Sequence, residues 1–246
     1  MRLAPALLLA AALALPAAGC SAAPAAKDSD KAFGEKVRAY LVAHPEVLEE
    51  VMTKLQESRE AAADKANALA LAAHRQSVER DPRDFVAGNP DGKLTVVEFF
   101  DYRCPYCKAA SADIQKLIAA NSDVRFVLKE FPILSPVSDK AARAAIGAKA
   151  QGKYMPVHLA LLAEKNLDEA AIDRILTANG VDAAKAKADG ATKESDAQIS
   201  DIHELAKSTG VTGTPAFVVG DKLIAGWDMA ALQTEIDAAR KAAKPG

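Results

Sequence analysis

The sequence predicts an α/β domain preceded by a helical stalk. Three observations carry this. Lys93 to Phe100 (KLTVVEFF) is a β-branched and aromatic run that reads as a buried strand, and it leads straight into Cys104 and Cys107 at the head of a helical stretch. A second strand-like run, Asp123 to Glu130, is followed by Ala-rich helical patterning over residues 138–207 before strand character returns at Ala216. Far upstream, Phe33, Val37, Leu41, His44, Leu48, Val51 and Leu55 are spaced 4, 4, 3, 4, 3, 4, the rhythm of an apolar seam on a helix.

The chain of 246 residues has room for one good-sized domain and an appendage. Half of its residues are hydrophobic and 26% are charged, which permits a sizeable core and excludes disordered and collagenous classes. A formal net charge of −2 argues against a nucleic-acid partner held by a basic surface. Only three cysteines are present, too few for a stapled scaffold.

Residues 1–20 (MRLAPALLLAAALALPAAGC) have one early cation, Arg2, then an apolar stretch and small residues, the outline of a signal peptide. The stretch is shorter than the roughly 20 apolar residues of a membrane span. Ala17-Ala18-Gly19-Cys20 resembles a bacterial lipobox, with Ala17 where that pattern prefers Leu. The resemblance implies a lipid anchor on Cys20; cleavage near Ala23-Pro24-Ala25 is the alternative. Either removes Cys20 as a free thiol, and export places the remaining pair where disulfides persist.

Residues 21–30 read as a tether and 31–80 as the stalk. The stalk divides into a helix at 31–43 and a longer one from Pro45, which suits a first helical turn, to about Glu79. Such a narrow seam cannot be buried by its own helix, so it predicts either self-association or packing back on the domain. Residues 81–92, with Pro82 and Asn89-Pro90-Asp91-Gly92, carry turn chemistry and read as a linker.

The first cysteine falls at a helix N-terminus, where the helix dipole and free N–H groups activate a thiol as a nucleophile. Pro105 fits the first turn. The two-residue spacing lets the sulfurs close a disulfide and exchange it with another protein: Cys104 as nucleophile, Cys107 as resolving thiol. Zinc needs more ligands, and His44, His74, His158 and His203 show no paired spacing, so no metal is expected. An inert structural disulfide fits poorly between a strand and a helix. Haem attachment needs a histidine where Lys108 stands. The redox-active Cys104–Cys107 pair is the only cofactor-like group expected.

The window EFFDYRCPYCK resembles the active site of DsbA-like periplasmic thiol oxidoreductases of the thioredoxin superfamily. Gly210 to Gly220 (GVTGTPAFVVG) resembles that family's cis-proline loop and following strand. The resemblance implies a thioredoxin fold over residues 93–244 with a helical insertion at about 138–209, and a cis Thr214–Pro215 peptide that faces the cysteines and holds substrate backbone. For Glu98, alternation against Val97 and Phe99 predicts exposure, whereas the resemblance implies a buried acid beneath the resolving cysteine. Such an acid would have a raised pKa and could accept the Cys107 proton. Lys129 is its expected partner. His158 and His203 are expected on helix surfaces or edges, and Trp227 in core or loop packing. Ala216–Val219 and Lys222–Ala225 read as a hairpin around Gly220-Asp221, and a closing helix follows from Asp228 with Leu232 and Ile236 inward.

Lys31 to about Gln56 is similar to the helical region of ScsC-like proteins, which implies a homo-oligomer, a trimer in some members, with disulfide isomerase activity. Pro105-Tyr106 replaces the Pro-His of strongly oxidising DsbA proteins and suggests a potential of roughly −230 to −150 mV. Thr214 before the proline is also seen in periplasmic isomerases. The expectation is an exported thiol:disulfide oxidoreductase in the periplasm of a Gram-negative bacterium. Its partners would be unfolded or misfolded secreted proteins and a membrane redox protein. The alternatives are a monomeric dithiol oxidase and a lipid-anchored binding or chaperone protein.

Overall fold

The computed structural model describes residues 25–242, so the signal segment and Cys20 lie outside the described residues. Two compact units are present, one ending at Glu57 and the other beginning at Ser58. The first holds α1 (Ala25–Ala43) and the opening turns of α2 (Glu46–Ala73). Helix begins at Ala25, inside the segment expected to be a tether. Glu46 and Glu49 lie in the first turn of α2, where the helix dipole favours negative charge. Phe33, Val37, Tyr40, Leu48, Val51 and Leu55 are exposed in the isolated chain.

The second unit is built on a five-stranded sheet in the order β1-β3-β2-β4-β5. Its strands are β1 (Phe85–Gly88), β2 (Leu94–Phe100), β3 (Val124–Glu130), β4 (Ala216–Val219) and β5 (Lys222–Ala225). β2 and β3 are parallel and joined by α4 (Pro105–Ala120), and every other neighbouring pair is antiparallel. Between β3 and β4 runs an insertion of five helices: α5 (Pro136–Ala150), α6 (Tyr154–Ala163), α7 (Glu169–Ala178), α8 (Ala183–Gly190) and α9 (Lys193–Ser208). The short helix α3 (Arg75–Glu79) precedes β1, and α10 (Met229–Ala242) closes the unit. Helices α5 and α8 meet backbone to backbone: a Cβ on Gly147 would stand 1.9 Å from the Ala186 carbonyl oxygen.

The register decides which side chains face the site. Glu98 lies beside Leu128 and Phe100 beside Glu130. Strand alternation therefore puts Val96, Glu98, Phe100, Phe126, Leu128 and Glu130 on one face, and Val97, Phe99, Val127 and Lys129 on the other. The first face is covered by α4, α6 and α10, through Ala110, Ile114, Leu161, Leu232 and Ile236. The second is covered from α3 and α9, through Val78, Ile202, Leu205 and Ala206, and by Leu71 near the end of α2. A sheet covered on both sides has no solvated face, so its central strands are buried along their length apart from half-buried Leu94 at the start of β2.

Several expectations are corrected here. The linker expected over 81–92 contains strand β1, which pairs antiparallel with the free edge of β3. The helix expected to reach Glu79 stops at Ala73, and α3 follows as a separate turn. Leu71 and Val78 are core residues, so the region read as stalk over 31–80 belongs to the domain from Ser58 onward. His158 is buried rather than at a surface. Trp227, 42% exposed, lies in the loop after β5, one of the two settings expected for it. Lys129 pairs with Asp84, and also donates to the Ser77 carbonyl at 2.8 Å. It cannot meet Glu98 because the two lie on opposite faces of the sheet.

The Lys129–Asp84 pair is fully desolvated, with side chains 1% and 0% exposed. Removing one partner strands a charge, whereas replacing both with apolar groups does not. Lys129→Met should lower unfolding stability in urea by about 3–5 kcal/mol. The double variant Lys129→Met/Asp84→Leu should recover most of that loss, and a double variant as unstable as the single one would contradict this account.

Candidate active site

Cys104 reaches the head of α4 through a tight turn at the end of β2, closed by its own N–H donating to the Asp101 carbonyl at 3.0 Å. The Asp101 carboxylate fixes this turn. One oxygen accepts from the Arg103 N–H at 2.7 Å, and the other accepts from the Ile133 and Leu134 N–H groups at 2.8 and 2.9 Å. The cysteine turn is thereby tied to the loop that follows β3.

Cys104 is the N-cap of α4, with extended backbone, and Pro105 follows in the first helical turn. Its Sγ accepts from the Cys107 N–H at 3.4 Å, taking the position that a Ser or Asp oxygen usually fills. The same sulfur lies 3.1 Å from the Thr214 carbonyl oxygen, towards which its S–H points as donor. The Thr214–Pro215 peptide is cis. The Gly226 N–H donates to the Pro215 carbonyl at 2.9 Å and anchors this loop to the end of β5. A groove of about 150 Å³ runs along the loop, lined by Val211, Thr212, Thr214, Pro215 and Ala225.

Both cysteines are free thiols. Cys104 is 4% exposed and Cys107 0%, so the first sulfur is only slightly more open than the second. Pro105 and Tyr106 are exposed and mark the side from which another protein can approach.

Beneath the pair lies the buried acid. Glu98 sits on the α4 face of β2, flanked by Leu128 of β3 and Phe217 of β4. The exposure that alternation predicts fails because helices cover that face. Burial alone raises the Glu98 pKa to about 8. Burial also pushes the Cys107 thiol far above its ordinary value, and the Glu98 charge adds to the effect. A reluctant thiol thus neighbours a carboxyl that becomes a base near pH 8, an arrangement suited to moving one proton.

Lys108, directly after the pair, donates to the carbonyls of Leu161 and Leu162 at 3.5 and 3.4 Å and to that of Glu164, where α6 ends. A cation at a helix C-terminus is favoured by the dipole. Burial lowers the Lys108 pKa.

Sequence reasoning missed Asp101, Tyr102, Glu130, Tyr154 and His158. The signal for Glu130 was present: like Glu98, it is a carboxylate inside a run that reads as a buried strand. Among the described residues, no group of three or more His, Cys, Asp or Glu is placed to hold a metal ion.

The family model for DSBA-like thioredoxin domains matches residues 95–237, and that for the copper resistance protein ScsC N-terminal domain matches residues 31–62. A thioredoxin-like oxidoreductase from Silicibacter pomeroyi DSS-3 is 45% identical, with a TM-score of 0.67 over 69% of this chain and 99% of that one. BcfH of Salmonella enterica Typhimurium is 30% identical, with a TM-score of 0.74 over 88% and 99%. A linker-deletion variant of Proteus mirabilis ScsC is 26% identical, with a TM-score of 0.67 over 91% and 99%. A stretch of 168 residues is 33% identical to part of the Na(+)/H(+) antiporter NhaA 1 of Mycobacterium sp. (strain KMS), covering 65% of this chain and 27% of that protein. The chain thus spans about a quarter of the length of the curated relatives it matches. No helix among the described residues is long and apolar enough to cross a membrane. With the first of these family matches running over more than half of its length, the chain belongs to the DSBA-like thioredoxin domain family.

Proposed function

We propose that the chain is an exported disulfide isomerase and reductase that works as an oligomer on misfolded secreted proteins. The observation that carries the reading is the placement of the Cys104 sulfur between the Cys107 N–H and the Thr214 carbonyl. The Cys104 thiolate attacks one sulfur of a client disulfide. A new S–S bond forms to Cys104, and the other client sulfur leaves as a thiolate. From this mixed disulfide two routes open. If a second client thiol attacks, the client is re-paired, Cys104 is released and no electrons are lost. If Cys107 passes its proton to Glu98 and attacks Cys104, the client leaves reduced by two electrons and the Cys104–Cys107 disulfide remains. A membrane redox protein would then reduce that disulfide. Thr214 and Pro215 hold the client backbone beside Cys104.

The exposed apolar residues of the first unit, from Phe33 to Leu55, support assembly through that unit. The match of residues 31–62 to the ScsC N-terminal domain supports the same reading, with a trimer as the proposed state. The proposed location is the periplasm of a Gram-negative bacterium, with lipidated Cys20 as the proposed anchor. A monomeric dithiol oxidase and a non-catalytic binding protein are outcomes of the tests that follow.

Full-length protein should restore activity to scrambled ribonuclease and scatter light as a trimer. A chain starting at Ser58 should be monomeric and lose isomerisation while keeping dithiol exchange. Cys104→Ala should abolish both activities. Monomers in both lengths would overturn the assembly, and scrambled client left inactive by both would favour the oxidase.

Glu98→Gln should slow release of the mixed disulfide by on the order of 100-fold. In the parent the release rate should climb through pH 8 as Glu98 ionises; in the variant that limb should vanish. Glu98 also has a stability signature. Its folded pKa of about 8 lies above its ordinary value of 4.5, so the native state binds the proton more tightly. Its stabilising contribution is complete below pH 4.5 and is lost as pH rises through 8. At pH 9, Glu98→Gln should therefore be more stable than the parent by about 4 kcal/mol in urea unfolding, with a much smaller difference at pH 5. Equal pH profiles of stability would contradict the burial argument.

A further inference from the structure

Behind the cysteine turn lies a second buried polar cluster that the exchange steps do not use. The Tyr102 hydroxyl donates to Glu130 Oε1 at 2.9 Å, and the Tyr154 hydroxyl donates to the same oxygen at 2.7 Å. The Tyr102 oxygen also lies 3.0 Å from His158 Nδ1. With its own hydrogen committed to Glu130, that oxygen accepts from His158, which assigns the Nδ1–H tautomer to the ring. All four residues are at most 3% exposed. Aromatic neighbours hold the rings: Phe85 stacks on Tyr154 at 4.3 Å, and Phe100 meets His158 edge-on at 4.8 Å.

Such a cluster is costly where an apolar core would fit, because burying a carboxyl without a cation is unfavourable. Lys129, its neighbour in sequence, points to the other face of the sheet and is committed to Asp84. Burial raises the Glu130 pKa to about 8, and burial holds His158 down to about 3. Around neutrality the acid is therefore mostly protonated and the imidazole neutral, so the cluster carries little charge.

Its position relates it to the thiols. Tyr102 is the second residue of the turn that Cys104 closes, and it shares one buried cluster with Cys104, Cys107 and Tyr154. Tyr154 and His158 lie on α6, the helix whose C-terminal carbonyls receive Lys108. One helix of the insertion therefore grips the cysteine segment on both sides, at Tyr102 before it and at Lys108 after it.

We propose that Glu130 is a positioning residue for the exchange reaction: through the Tyr102 hydroxyl it fixes the turn that seats Cys104, and it favours the dithiol over the disulfide. This rests on the thiol-exchange reading of the Cys104–Cys107 pair. The contacts are those of the dithiol form, in which the Cys104 sulfur rests on the Thr214 carbonyl. Disulfide formation must swing that sulfur towards Cys107, and a looser turn permits this more readily.

The test is the equilibrium of the full chain with glutathione, in which protein dithiol and oxidised glutathione give protein disulfide and two reduced glutathiones. Tyr102→Phe and Glu130→Leu should each shift the equilibrium constant towards the disulfide by about fivefold, the worth of one neutral hydrogen bond felt in a single redox state. The double variant should shift it no further, because both changes break the same path. Glu130→Gln, whose amide oxygen still accepts from both hydroxyls, should stay close to the parent. A purely structural cluster would destabilise dithiol and disulfide alike and leave the constant unchanged in folded Tyr102→Phe, which would overturn the proposal. Should Glu130→Leu fail to fold, Tyr102→Phe and Glu130→Gln still decide it. If Cys104→Ala also shows that the cysteines carry no exchange, it is the underlying reading that has failed and not the positioning role alone.

Discussion

Antiparallel pairing of β2 with β4 is the constraint on which the site depends. It sets Phe99 opposite Ala216, so the end of one strand and the start of the other lie side by side. Cys104 follows the first and Thr214–Pro215 precedes the second, and residues 110 apart in sequence meet at 3.1 Å. The parallel β2–β3 pair contributes the rest. Its crossover helix α4 begins at the cysteines, and its register puts Glu98 and Glu130 on the face that α4 covers. A slip of one residue in β2 would turn Glu98 away from the cysteines and bring Val97 beneath them.

That face carries two carboxyls in an interior that disfavours charge. Glu98 has its pKa raised by burial with no compensating cation, while Glu130 is held by two tyrosine hydroxyls. Their consequences differ. Glu98 lies beneath Cys107, where in the proposed exchange a proton leaves before the client is released. Glu130 lies behind the turn, where hydrogen bonds fix geometry. The opposite face solves its charge problem by pairing, with Lys129 against Asp84, and uses the pair to hold the segment leading into β1.

The parts legible in the sequence were those whose signal is local. KLTVVEFF running into Cys-Pro-Tyr-Cys announces a strand and a helix start, and Thr214-Pro215 before a β-branched run announces a turn and a strand. The parts that were not legible arise from tertiary context. β1 is four residues long and is a strand only because β3 offers it an edge. Alternation put Glu98 in solvent because it assumes one wet face, and this sheet has none. His158, alone in the apolar run YMPVHLALLA, gave no hint that Tyr102 would reach it from 56 residues away. Lys129 and Glu98 looked like partners until the register separated them across the sheet.

The most direct measurement of the central claim is covalent trapping. Full-length Cys107→Ser protein, reduced and mixed with a disulfide-bonded client, should accumulate a mixed disulfide that peptide mass mapping places on Cys104. The complex should dissolve on adding dithiothreitol and should not form when Cys104 is also replaced. A trapped client mapped to a residue other than Cys104, or no trapped client while exchange continues at the parent rate, would contradict the assignment of Cys104 as nucleophile and Cys107 as the thiol that releases it.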